Sequence, residues 1–184
     1  MQRTSAVRAL ATLTAFAPWA AGAFETEFFA IDIPPGFVAE APRESAGSLA
    51  YLFISTGEAG EAAPTVLEID VFSADALAEA GPVRNENDHA IILDGLLGAL
   101  SRVYSNFSAE VLPESVSLSG MTMLSARWRA RAQVRDVKGY AACTASGVRP
   151  LCIQLYDVSP YAREATQAGA AALDTLRIKQ ADGQ

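Results

Sequence analysis

Four arginines of one parity are the residues in this sequence best suited to binding chemistry. Arg127, Arg129, Arg131 and Arg135 lie in a segment that reads as one long strand. In a strand that rises about 3.3 Å per residue, side chains of one parity project from one face at intervals of about 7 Å. Guanidinium groups bind carboxylates and phosphates through paired hydrogen bonds. The pattern predicts a surface for an anionic ligand or an acidic partner. The alternative is a solvated face whose arginines pair with local acids.

The acids and the histidine that could support catalysis are few. Glu68 and Asp70 lie on one face of a predicted strand, where they could pair with the arginines, bind a hard cation or act in acid–base catalysis. His89 is the one histidine in the chain, and we expect it to be a surface residue in the first turn of a helix. No G-x-S-x-G motif accompanies it. The sequence therefore predicts no catalytic residue.

Composition excludes several classes of site and partner. With one histidine and two cysteines, the chain cannot build a Cys₄ or Cys₂His₂ zinc site, or an iron–sulfur cluster held by cysteines. Neither of the glycine-rich phosphate motifs, GxGxxG and GxxxxGK[ST], occurs. We expect no metal and no cofactor. A net charge of −7 and a pI of about 4.7 also argue against a nucleic-acid partner.

The two cysteines fit a disulfide across a β-hairpin. A two-residue turn at Gly147 and Val148 places Cys143 directly opposite Cys152 at a non-hydrogen-bonded pair, where the Cα atoms of antiparallel strands are closest. In the same register, Pro150 falls where its missing N–H is not needed. The spacing predicts a structural disulfide, which is typical of an oxidising compartment.

The N-terminus has the pattern of a secretory signal. Arg3 and Arg8 precede an uncharged run that ends at Ala21-Gly22-Ala23, a cleavage triplet of small residues. We expect removal of residues 1–23 and a single mature domain over residues 24–184 that begins at Phe24. No later segment is long and apolar enough to span a membrane. Together with an alanine- and arginine-rich composition typical of GC-rich bacteria, the pattern predicts a periplasmic protein.

Hydrophobic periodicity predicts about six strands and two helices. The strands are predicted at 28–33, 49–54, 66–72, 121–137, 141–145 and 151–158, and the helices at 87–107 and from Ser159-Pro160 to Leu176. The last three strands form a meander. A three-residue loop at 137–139 within it would place one set of apolar residues on a single face, namely Trp128, Ala130, Ala132, Val134, Ala142, Leu151, Ile153 and Leu155.

The order of these elements resembles the PsbP/Mog1-like family. The resemblance rests on a strand running into Ile31-Asp32-Ile33-Pro34-Pro35-Gly36-Phe37, an amphipathic middle helix, Ser119-Gly120-Met121-Thr122 at the start of a long meander, and a closing helix. It implies an α+β fold, an antiparallel sheet with helices packed on it in an α/β/α sandwich, and members that mostly act as binding or assembly factors. It transfers no functional residue.

These observations together predict a periplasmic, non-enzymatic binding or assembly-accessory protein that acts on a protein or another envelope partner. Two alternatives remain open. One is an envelope enzyme that uses carboxylates and arginines on an acidic or phosphorylated substrate. The other is an inhibitor or immunity-type protein. A pocket that holds Glu68, Asp70 and the arginines together would favour the enzyme.

Overall fold

The structure is a computed structural model that describes residues 22–45, 47–57, 63–73 and 88–180. The described residues form twelve strands and two helices, so the prediction of about six strands was too low. The additional strands are short or lie at sheet edges, where hydrophobic periodicity is weakest. The strands are β1 Ala23–Glu25, β2 Phe29–Asp32, β3 Phe37–Ala39, β4 Arg43–Ser45, β5 Ser48–Ser55, β6 Val66–Phe72, β7 Ser105–Val111, β8 Val116–Leu118, β9 Met121–Ala132, β10 Arg135–Thr144, β11 Leu151–Val158 and β12 Arg177–Ile178, and the helices are α1 Asp88–Val103 and α2 Arg163–Leu173.

The strands form one large and one small antiparallel sheet. The large sheet has the order β3-β5-β6-β11-β10-β9-β7, with β4 also pairing with β5 and β8 with β9. The small sheet has the order β1-β2-β12. All the pairings are antiparallel, so the predicted antiparallel α+β architecture is confirmed.

Each face of the large sheet carries a buried apolar cluster. On one face, here called the α2 face, Tyr51, Leu67 and Ile153 pack with Phe29 of the small sheet and Leu173 of α2 in a single apolar cluster. On the other, the α1 face, a second cluster joins α1 to the sheet through Ile92, Leu93, Leu97, Trp128, Ala141, Cys143 and Cys152. Because apolar side chains are buried on both faces, the hydrophobic pattern of a strand does not indicate which of its side chains point to α1 and which to α2.

The turn between β9 and β10 differs from the predicted loop at 137–139. Ala132 pairs with Arg135, so the turn is Gln133-Val134, and Gln133 has a φ of 56°. Gly139 lies within β10 opposite Trp128, where a Cβ atom would be only 2.3 Å from the indole ring. This glycine allows a large ring to cross the strand and makes no turn.

The earlier turn reverses the predicted facing of the meander. Trp128 and Ala130 lie on the α1 face, whereas the apolar residues expected beside them, Ala142, Leu151, Ile153 and Leu155, belong to the α2-face cluster. The predicted single face was therefore wrong. Its premise was that the meander buries apolar residues on one side only, whereas each side contributes to a buried apolar cluster.

Each predicted helix is shorter than its pattern suggested. Helix α1 ends at Val103, and the edge strand β7 begins at Ser105 inside the segment predicted to be helical. Helix α2 begins at Arg163, and Ser159 does not cap it, because its hydroxyl accepts a hydrogen bond from the N–H of Asp136 (3.0 Å). The carboxyl group of Asp157 instead accepts the N–H of Ala162 at 2.8 Å.

The predicted disulfide is confirmed. Cys143 and Cys152 are bonded, their Cα atoms are 4.1 Å apart, and they are directly opposite in the β10–β11 ladder. Both are fully buried in the cluster beneath α1. Gly147 in the connecting turn has a φ of 107°, the positive value that its place in the turn requires.

The predicted signal sequence lies almost wholly outside the described residues, which begin at residue 22. The predicted cleavage site falls just before Phe24 in β1, whose ring packs against Phe29, Tyr51 and Phe53. Within the described ranges, neither helix has the length and hydropathy needed to cross a membrane.

Candidate functional site: a basic groove on the α2 face

Antiparallel pairing aligns side chains into rows across four strands of the α2 face. Residues directly opposite each other share a face, so the register defines these rows. The middle row is Ser108–Arg129–Lys138–Asp157, from β7 through β9 and β10 to β11. The inner row, nearer the core, is Glu110–Arg127–Tyr140–Leu155. The outer row contains Arg131 and Asp136.

Two adjoining cavities lie over these rows. The first has a volume of about 630 Å³ and is lined by the middle and inner rows and by Thr166 of α2. The second has a volume of about 510 Å³, includes Tyr161, and shares Arg129 and Lys138 with the first. Together they form what we call the basic groove. Helix α2 packs closely against β11 at one side of the basic groove. Gly169 of α2 permits this approach, because a Cβ atom there would lie 2.7 Å from the side chain of Leu155 in β11.

The positive charges of the basic groove are only partly neutralised. Arg131 forms an ion pair with Asp136, with 3.2 Å between Nε and Oδ1. In the described part of the chain, no carboxylate oxygen lies within 4.0 Å of the charged groups of Arg127, Arg129 or Lys138. Like charges directly opposite on neighbouring strands are destabilising. The facing pair of Arg129 and Lys138 is therefore suited to bind an anion.

Three of the four predicted arginines reach the groove. Arg127, Arg129 and Arg131 are exposed, while Trp128 between them is buried, as the alternation predicted. Arg135 starts the next strand, one residue before Asp136. Because Asp136 faces Arg131, alternation directs Arg135 to the opposite face. The structure does not bring it to the site, because the turn comes earlier than expected.

Lys138 and Tyr140 are groove residues that the sequence interpretation missed. The predicted loop at 137–139 contains Lys138 and ends next to Tyr140, whereas both residues lie in mid-strand opposite Arg129 and Arg127. The ammonium of Lys138 sits 3.8 Å from the centre of the Tyr161 ring, a cation–π contact that holds it at the groove. A strand register that continued through Gly139 would have identified both residues.

Asp157 limits the groove on the α2 side. It is 1% exposed, and its Oδ2 accepts hydrogen bonds from the Ala162 N–H and the Thr166 hydroxyl. Its Oδ1 is buried without a hydrogen-bond partner among the described residues. An acidic side chain thus ends the middle row, as Glu110 ends the inner row on the β7 side.

Glu68 and Asp70 lie on the opposite face of the sheet, where they neither pair with the arginines nor line the groove. Asp70 accepts a hydrogen bond from Gln154 Nε2 (3.1 Å), and Glu68 accepts one from the Tyr156 hydroxyl (3.3 Å). Burial, reinforced by the charge of Asp70, raises the pKa of Glu68 to about 7. Burial also raises the pKa of Asp70. Among the described residues, no three metal-binding side chains come together.

His89 has a structural role. It is 6% exposed, and its Nδ1 accepts a hydrogen bond from the backbone N–H of Ala145 at 2.8 Å. The bond fixes the first turn of α1 to the end of β10. The expectation of a surface histidine was therefore wrong. The residues near His89 in the sequence do not indicate that the first turn of α1 lies against the end of β10, because that contact joins residues far apart in the chain.

Comparison with known proteins identifies the fold. No family model and no curated protein matches the chain. The solution structure of the cyanobacterial PsbP protein CyanoP from Synechocystis sp. PCC 6803 is similar, with a TM-score of 0.52 and 13% identity over 92% of this chain and 98% of that one. The crystal structure of LpqN, involved in cell envelope biogenesis of Mycobacterium tuberculosis, gives a TM-score of 0.46 and 14% identity over 82% and 83%. The chain has the PsbP/Mog1-like fold.

Proposed function

We propose that this protein is an exported, periplasmic, non-enzymatic binding or assembly-accessory protein, and that it engages an anionic ligand or an acidic partner in the basic groove. One observation carries the proposal. Arg129 and Lys138 face each other across two strands, and no described carboxylate oxygen lies within 4.0 Å of either charge. A bound anion would relieve their mutual repulsion and accept hydrogen bonds from both.

Export is supported by the disulfide. Buried disulfides form and persist in oxidising compartments and are rare in the bacterial cytoplasm. The N-terminal pattern of two arginines, an apolar run and a small-residue triplet supports the periplasm as the compartment.

The geometry does not favour the enzyme alternative. That hypothesis needs acids and arginines in one pocket, and Glu68 and Asp70 project from the α1 face whereas the basic groove lies on the α2 face. The acids with raised pKa values therefore cannot act on a ligand held by Arg129. A binding function requires only the groove itself.

The test compares two triple variants of the full exported protein. The groove variant is Arg127→Gln, Arg129→Gln and Arg131→Gln. We expect its melting temperature to stay within a few degrees of wild type, because exposed charges contribute little to stability. It should lose binding of a fluorescent oligoglutamate peptide and of phenyl phosphate, which are used as an acidic-partner probe and a small-anion probe.

The matched control removes the same number of charges elsewhere, through Arg102→Gln, Arg135→Gln and Arg177→Gln. All three positions are exposed and outside the groove. We expect this variant to bind like wild type. Equal binding by the groove variant and the wild type at low ionic strength, where charge contacts are least screened, would reject the proposal.

A further inference from the structure

The cations of the basic groove are confined to its centre. Asp157 ends the middle row on one side and Glu110 ends the inner row on the other. Neighbouring strands are about 4.8 Å apart, so the positive region around Arg129 and Lys138 is only two strands wide. An extended polyanion laid across the strands would place its charges next to these acids. The arrangement suits one compact anionic group.

The inner row changes character along its length. Beyond Arg127 the row continues through Tyr140 to Leu155. Leu155 belongs to the apolar cluster of the α2 face, and Tyr140 packs against that cluster. The groove therefore offers an apolar floor directly beside its cationic centre. A hydrated inorganic ion would leave this floor in contact with water, whereas an apolar substituent on the ion would cover it.

The volume of the first cavity also favours a ligand larger than an inorganic ion. Its volume of about 630 Å³ falls within the range of roughly 300–1,000 Å³ that is typical of pockets for small organic molecules. A single water molecule occupies about 30 Å³ of liquid, so an inorganic ion would fill only a small part of the cavity.

From these observations we infer that the ligand of the basic groove is a small organic anion with an apolar body. Its phosphate or carboxylate group binds between Arg129 and Lys138, and its apolar part lies on Tyr140 and Leu155. The inference rests on the proposed function and specifies the class of ligand for that site.

The first experiment needs no mutation. Calorimetric titrations at low ionic strength compare inorganic phosphate with methyl, butyl and phenyl phosphate, which carry similar head groups and increasing apolar area. We expect affinity to rise along this series, with phenyl phosphate binding at least tenfold more tightly than inorganic phosphate. Equal affinities along the series would overturn the inference and leave the proposed anion site intact.

Three single variants then locate the two parts of the ligand. Arg129→Gln should weaken every member of the series by a similar factor. Tyr140→Ser should reduce the preference for phenyl over inorganic phosphate to less than threefold while inorganic phosphate binds as before. Tyr161→Ser tests the alternative placement of the apolar part, at the second cavity: because the Tyr161 ring holds Lys138, this variant should weaken all members of the series by a similar factor and so keep the preference for phenyl phosphate.

The remaining outcomes separate the two proposals. Loss of the phenyl preference in Tyr161→Ser but not in Tyr140→Ser would overturn the placement of the apolar body. Oligoglutamate binding more tightly than phenyl phosphate, with sensitivity to Arg129→Gln, would favour an acidic protein partner and reject the organic anion. Failure of the phosphates and of oligoglutamate to bind would refute the proposed function as well.

Discussion

Glu68 should make the fold less stable as the pH rises from about 4.5 to about 7. Its side chain lies on the α1 face, with Leu52 opposite on one neighbouring strand and Gln154 on the other. The Tyr156 hydroxyl donates a hydrogen bond to it, and the nearby Asp70 carries the same charge when ionised. Replacing it by Gln keeps the shape and an acceptor for Tyr156 while removing the charge.

The magnitude follows from the change in pKa. The pKa of Glu68 is raised from 4.5 to about 7 in the folded protein, chiefly by burial and then by Asp70. Each pH unit between the folded and unfolded values corresponds to about 1.4 kcal/mol, so ionising Glu68 costs the fold about 3 kcal/mol. Below pH 4.5 the group is protonated in both states and this cost is absent. Between pH 4.5 and 7 the folded state binds more protons than the unfolded state, so stability falls as the pH rises, and above pH 7 the loss is complete.

Urea unfolding of the wild type and Glu68→Gln at a series of pH values between 4.5 and 8 tests this reasoning. We expect the variant to gain about 2–3 kcal/mol relative to wild type on going from pH 4.5 to pH 8, a large fraction of a typical domain stability of about 5–15 kcal/mol. Glu110→Gln, which removes an exposed acid from β7, separates the effect of burial from that of net charge. If the difference between wild type and Glu68→Gln stays constant across this pH range, the raised pKa is wrong.

Three further predictions concern folding and processing. Replacing Cys143 and Cys152 together by Ala should lower the free energy of unfolding by about 2–3 kcal/mol, the value for a closed loop of about ten residues, and a melting temperature unchanged from wild type would contradict this. Gly139→Ala should greatly destabilise or prevent folding, because the new Cβ would lie 2.3 Å from the Trp128 ring, and a soluble variant with native near-ultraviolet circular dichroism would show the packing to be wrong. N-terminal sequencing of periplasmic material should begin at Phe24, and a mature chain that still starts at residue 1 would exclude the predicted cleavage.

Local patterns in the sequence predicted the elements whose periodicity is unbroken. Strand β6 was predicted with its observed bounds, and the pairing of Cys143 with Cys152 followed from one glycine, one proline and the alternation of antiparallel pairs. These features depend on residues within about ten positions of one another. The cysteine register needed no knowledge of the rest of the fold.

The features that the sequence did not predict depend on contacts between distant elements. Gly139 reads as a turn residue until Trp128 is seen to lie across it, and the actual turn at Gln133-Val134 has no glycine, asparagine or proline to mark it. This one error concealed Lys138 as a groove residue and assigned Arg135 to the wrong face. The sequence therefore predicted three of the arginines of the candidate site, but not the other residues that line it.

The position of the disulfide has a consequence for the order of events in biosynthesis. Both sulfur atoms belong to the cluster that α1 covers, and neither cysteine is accessible in the folded protein. Thiol–disulfide exchange requires an attacking thiolate to reach a sulfur atom. An oxidant must therefore reach the two cysteines of the β10–β11 hairpin before α1 docks. Once the helix is in place, a reductant can act only on the rare molecules in which α1 has detached. Docking of α1 thus makes the oxidation effectively irreversible for as long as the protein stays folded.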